Sequence, residues 1–63
     1  MFDYAKHLER RLEYWQNRRV EAIIYADIIP EGTKRKYDAE YMVFIADHEI
    51  EWIKCLLDLG KIL

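Results

Sequence analysis

The polar and apolar positions divide the chain into two helical stretches around one break. From Tyr4 to about Asp27, apolar residues recur every three or four positions: Tyr4, Ala5, Leu8, Leu12, Trp15, Ala22, Ile23 and Ala26. At about 100° per residue they cover an arc of about 100°, the width of a core-facing stripe. Arg19 sits at the centre of that arc, where a leucine would be expected. Val20 and Ile24 fall off it, either exposed or marking a second contact near the loop. The second stretch, residues 37–59, carries two apolar stripes. The wider contains Tyr37, Tyr41, Phe44, Ile45, His48, Trp52, Cys55, Leu56 and Leu59. The narrower contains Ala39, Met42, Val43, Ala46, Ile50, Ile53 and Leu57. Glu40, Asp47, Glu51, Lys54 and Asp58 form a thin polar wedge, and Glu49 splits the stripes on the other side. A helix apolar nearly all round must be buried nearly all round.

These patterns predict an all-α chain: a helix over about 3–27, a loop over about 28–36 and a helix over about 37–59. Asp3 suits the first N-cap. Pro30 disfavours helix at Ile29, and Gly32 supplies a turn position. The second helix starts between Thr33 and Asp38, either of which can cap it. Against Thr33, it would place Lys34, Arg35 and Lys36 in the first turn, where positive charge opposes the helix dipole. Gly60 is expected at C′, closing the helix after Leu59. A helix, short loop and helix make an antiparallel hairpin. One helix can cover one stripe, so the second stripe requires another chain. The expected assembly is a homodimeric four-helix bundle with coiled-coil-like seams. Its core or dimer positions are Leu8, Leu12, Trp15, Tyr41, Ile45, His48, Ile50, Trp52, Ile53, Leu56 and Leu57. On this reading both tryptophans are mostly buried.

Length sharpens this. A chain of 63 residues forms one domain and is marginal alone. Small scaffolds gain stability from disulfides, metals or assembly. A single cysteine excludes an intrachain disulfide, and two distant histidines provide no zinc framework. Assembly is what remains. No apolar run approaches the ~18 residues of a membrane span. The opening residues, MFDYAKHLERR, lack the apolar segment of a signal peptide. The expected setting is the reducing cytoplasm, with no membrane partner.

Net charge is −2 but unevenly placed. Residues 1–36 hold eight Lys/Arg and six Asp/Glu, giving +2, and residues 37–63 hold two and six, giving −4. The asymmetry fits complementarity between two packed helices. It also leaves a basic first-helix surface of Arg10, Arg11, Arg18 and Arg19, interleaved with Tyr14 and Tyr25. Such a surface serves phosphates and base faces alike. Overall acidity favours intramolecular pairing. In that pairing Asp47 or Glu40 is the intrachain candidate for Arg19, and Glu51 of a second copy is the alternative.

Little here carries chemistry. His48 and Glu51 form an i, i+3 pair of the kind that lines di-metal bundles, but the first helix offers no matching Glu on its core stripe. His48 therefore reads as a core or interface histidine, and two of them meeting in a symmetric dimer would create pH sensitivity. Cys55 reads as a small hydrophobe, not a nucleophile. There is no glycine-rich phosphate loop and no Ser/His/Asp set, and the paired Glu-x-x-Glu helices of all-α nucleotide pyrophosphohydrolases are missing. No enzyme activity and no cofactor are expected.

Leu8, Leu12 and Trp15, followed by His48-Glu49-Ile50-Glu51-Trp52-Ile53 and Leu56, resemble the C-terminal helical dimerisation region of PadR-like transcriptional regulators. The likeness covers most of the chain. These residues contain no winged helix, so the resemblance implies dimerisation, not DNA binding. Length and hairpin organisation are also similar to Rop-like plasmid RNA-binding dimers, without a residue motif. The expectation is a small homodimeric helical interaction protein that regulates a protein partner, a form common among phage and mobile-element regulators and inhibitors. The alternative is a nucleic-acid-binding dimer using the basic first-helix stripe.

Overall fold

The computed structural model describes residues 2–62, and for Lys61 and Ile62 the backbone only. It is an antiparallel pair of helices, α1 (Tyr4–Ile28) and α2 (Lys34–Ile62). Among the described residues there is no strand. The hairpin measures 46 × 18 × 13 Å. Its thinnest dimension is close to one helix diameter, about 10–12 Å. The chain is thus a single layer, whereas a self-sufficient domain ordinarily packs two layers around a core.

Each end has an identifiable cause. The Asp3 carboxylate accepts a 3.2 Å hydrogen bond from the Lys6 N–H, satisfying a free donor of the first turn. At the other end Ile29 is extended (φ −75°, ψ 135°), as a residue before proline should be. Its N–H still donates to the Tyr25 carbonyl at 3.0 Å. Gly32 then adopts φ 80°, a left-handed conformation that glycine takes without steric cost.

Thr33 caps α2. Its Oγ1 accepts from the Lys36 N–H at 3.1 Å and donates to the Pro30 carbonyl at 2.9 Å. The helix therefore begins at Lys34, and the connection is shorter than the expected 28–36. The three basic residues do fall in the first turn, but Lys36 escapes the unfavourable end of its own helix. Its ammonium crosses the loop and donates to the Ala26 carbonyl near the C-terminus of α1, where a cation is favoured. Glu31 lies 3.6 Å from the same ammonium, and the Lys36 side chain is only 14% exposed. A further correction concerns Gly60. It lies inside α2, which continues to Ile62, and it has no positive φ.

The narrow stripe of α2 faces α1. Ala46, Ile50 and Ile53 are buried against Leu8 and Ala22, and Ile53 is the one large side chain among those described with no exposure at all. Leu12, Trp15, Ala26, Ala39, Met42, Val43 and Leu57 line the same seam, half-buried. Buried Ala22 and Ala46 let the helix axes approach, since separation depends on the side chains at the contact. The wide stripe lies on the far side. Trp52, expected to be mostly buried, is 59% exposed in the single chain, and Tyr41 and His48 are exposed with it. Val20 and Ile24 are also exposed.

Ile53→Ala should lower stability by about 2–5 kcal/mol, the usual range for emptying a buried aliphatic site. Thr33→Ala should cost about 1 kcal/mol through the lost cap. Urea denaturation followed by circular dichroism measures both, and equal effects would contradict the assignment of Ile53 to the centre of the seam.

Candidate interaction surfaces

Two surfaces follow from this packing. The first is the basic side of α1. Regular helix spacing puts Arg11 and Arg19 beside the seam, and both reach across it. The Arg11 guanidinium lies 3.4 Å from the Glu49 carboxylate. Arg19 donates through Nε to Asp47, one of the two intrachain candidates read from the sequence. Arg18 pairs within its own helix with Glu21 at 3.4 Å. Among the described residues Arg10 has no ion pair, and Tyr14 and Tyr25 are exposed. The six residues of the candidate basic stripe are therefore not one free surface. Three of its four arginines are engaged with acids. Arg18, Tyr25 and Arg35 do line one groove near the loop, and Glu21 and Asp38 line it with them.

Arg19 is not desolvated. Its side chain is 42% exposed, and that of Asp47 is 53% exposed. The apolar arc opens at this point into a groove that also contains Val20, Phe44, His48 and Glu51. Water reaches the guanidinium, so the charge persists in the arc without the penalty of a buried ion.

The second surface is the wide stripe of α2. Tyr37 and Tyr41 stack at 6.3 Å between ring centroids with nearly parallel planes. Tyr41 and Phe44 continue the ladder at 6.4 Å. Phe44 is 66% exposed, and Trp52 and Leu59 extend the same face toward the end of the helix. Cys55 is a free, exposed thiol on it. Ile45 and Leu56 at its margin are half-buried. Large apolar side chains contiguous over six helical turns exceed what a monomer ordinarily leaves in water.

No group of three or more His, Cys, Asp or Glu is gathered as a metal site among the described residues. His48 is exposed at the margin of the Arg19 groove, and Cys55 is exposed on the outer face. Among the described residues no helix is long and apolar enough to cross a membrane. The chain matches no family model, no curated protein and no solved structure.

A double-mutant cycle on Arg19→Ala and Asp47→Ala should give a coupling of about 0.2–1 kcal/mol, typical of an exposed pair. The coupling should fall as salt is raised. A salt-insensitive coupling of about 3 kcal/mol or more would mean that the pair is desolvated.

Proposed function

We propose that this chain is a non-enzymatic helical interaction protein that works as a homodimer and regulates a protein partner. The observation that carries the reading is the exposed aromatic stripe of α2, from Tyr37 to Leu59. A soluble chain with that face in water would associate, and self-association gives a four-helix assembly with the stripe inside. The weak resemblance to PadR-like dimerisation hairpins supports the same role, because His48, Trp52 and Leu56 of the resembling segment belong to this stripe. A cytoplasmic setting accords with the free thiol of Cys55. A phage or mobile-element regulator or inhibitor is the kind of protein this size and form suit.

A nucleic-acid-binding dimer is the second reading, supported by the groove that Arg18, Tyr25 and Arg35 share. The acids in that groove, and the ion pairs of Arg11 and Arg19, weigh against it.

Sedimentation at micromolar concentration should show a dimer or larger species for the wild type. Trp52→Glu should shift it to monomer, since a charge would be placed within the association surface. A wild-type chain that stays monomeric and folded overturns the homodimer. The nucleic-acid reading is decided by titrating a fluorescent single-stranded RNA and an RNA duplex at low and physiological salt. Affinity that falls steeply with salt supports it; no binding at low salt removes it.

A further inference from the structure

The exposed face of α2 has an ordered spacing. Tyr37, Tyr41, Phe44, His48, Trp52, Cys55 and Leu59 follow one another at intervals of four, three, four, four, three and four residues. These are two 11-residue repeats, at about 3.67 residues per turn. Over the whole series the stripe drifts by only about 40°, so it runs almost straight along the helix. Its centre lies about 160° round α2 from the centre of the face that covers α1. The series also reads the same in both directions, with His48 at its midpoint.

We propose that this stripe is a self-docking surface on which α2 packs antiparallel against α2 of a second copy, about a two-fold axis passing through His48. The proposal rests on the homodimer reading and specifies its face and direction. Side-chain sizes suit the pairing. Phe44 meets Trp52 of the second copy, ring against ring. Tyr41 meets the small Cys55, and Tyr37 meets Leu59. Each of these pairs occurs twice, as an isologous interface requires.

Charge selects the direction. A parallel pairing would set Glu40 and Glu51 of one chain beside Asp38 and Glu49 of the other, acid against acid along its length. Antiparallel pairing brings Lys54 beside Glu40 of the second copy, twice. It also lays Lys34 near the C-terminal end of the other α2. There the second helix presents its free carbonyls, which favour cations. The acids nearest the axis, Asp47 and Glu49, are already paired with Arg19 and Arg11 of their own chain. Area is sufficient as well. Aromatic side chains bury about 150–250 Å² each. With the exposed shares of Tyr37, Tyr41, Phe44, Trp52 and Leu59, the stripe offers roughly 500–700 Å² per chain, approaching the about 800 Å² per partner of a standard interface.

Disulfide trapping in the full chain tests the pairing. In a Cys55→Ser background, His48→Cys should convert most of the protein to covalent dimer on mild oxidation with diamide, which takes up the two thiol protons and two electrons. The wild type, with Cys55 alone, should form little, because the two Cys55 backbones would lie about 21 Å apart along the axis, beyond the about 7 Å limit for a disulfide. Tyr41→Cys with Cys55 retained should give a doubly linked dimer. Circular dichroism establishes that each variant keeps its helix content. As a second measurement, spin labels on Asp58→Cys in the Cys55→Ser background should lie roughly 30 Å apart along the axis, and not side by side. Rapid Cys55–Cys55 linkage, or labels at 58 close together, overturns the antiparallel arrangement while the homodimer stands. A dimer by sedimentation with no linkage through residue 48 and labels off the expected spacing overturns the stripe as the interface. A folded wild-type monomer overturns both this proposal and the homodimer.

Discussion

The seam between the helices depends on a division of labour along α2. One face carries alanines and aliphatic residues, the opposite face aromatics, with a charged wedge between them on one side and Glu49 between them on the other. A second helix can approach the first face closely, because Ala46 and Ala22 leave room for it, and Ile53 is fully buried further along the seam. The approach engages Leu8, Leu12, Trp15, Ala22 and Ala26 of α1, and α1 does not reach the second face of α2. A hairpin one helix thick has no inside for Phe44 or Trp52. Ordering the backbone costs about 1–2 kcal/mol per residue, and the few residues buried in this seam offset only part of that. The same amphipathic arithmetic that folds the hairpin leaves it incomplete.

Charge is arranged around this packing and does not compete with it. Opposite charges meet across the seam, although three cations of the basic half, Lys34, Arg35 and Lys36, belong to α2. Arg11 and Arg19 reach across the seam to Glu49 and Asp47. Exposed pairs of this kind add little stability, but they favour the observed pairing of helices over one that sets like charges together. Lys36 does something different. It belongs to α2 in sequence and serves α1 electrostatically, tying the Ala26 carbonyl in the last turn of the first helix to the first turn of the second. A tight five-residue turn with three basic residues beside it is held by that exchange.

Much of this was legible from residue order. Period and arc width define both helices, Asp3 announces the first N-cap, and an antiparallel register puts Asp47 within reach of Arg19. Three features were not legible, each for a physical reason. Both stripes of α2 are apolar, so hydrophobicity alone does not say which one meets α1. The signal was size, since Ala39 and Ala46 on one stripe and Ala22 and Ala26 on the other helix permit close approach, and aromatics do not. The start of α2 stayed open between Thr33 and Asp38 because first-turn lysines look unfavourable until Lys36 is seen to act on the other helix. Gly60 looked like a terminator, yet a glycine needs a chain reversal to act as one, and α2 simply continues through it. Of the candidate surfaces, the arginines were readable as a group. Their separation into seam pairs and an unengaged Arg10 required the fold.

The two faces of α2 also separate two kinds of energetics. A residue of the seam, such as Ile53, contributes to folding of each chain at any concentration. A residue of the outer face contributes through association, which enters stability by mass action and grows with chain concentration. If the outer face is the dimer interface, the midpoint of thermal unfolding rises as the protein is concentrated, and Phe44→Ala removes that dependence while leaving the dilute-limit midpoint almost unchanged. Ile53→Ala lowers the midpoint at every concentration and leaves its slope with concentration in place. Melting the three proteins over a hundredfold range of concentration therefore assigns each face its role without knowledge of any partner. A wild-type midpoint independent of concentration would mean that the aromatic face contributes nothing through self-association.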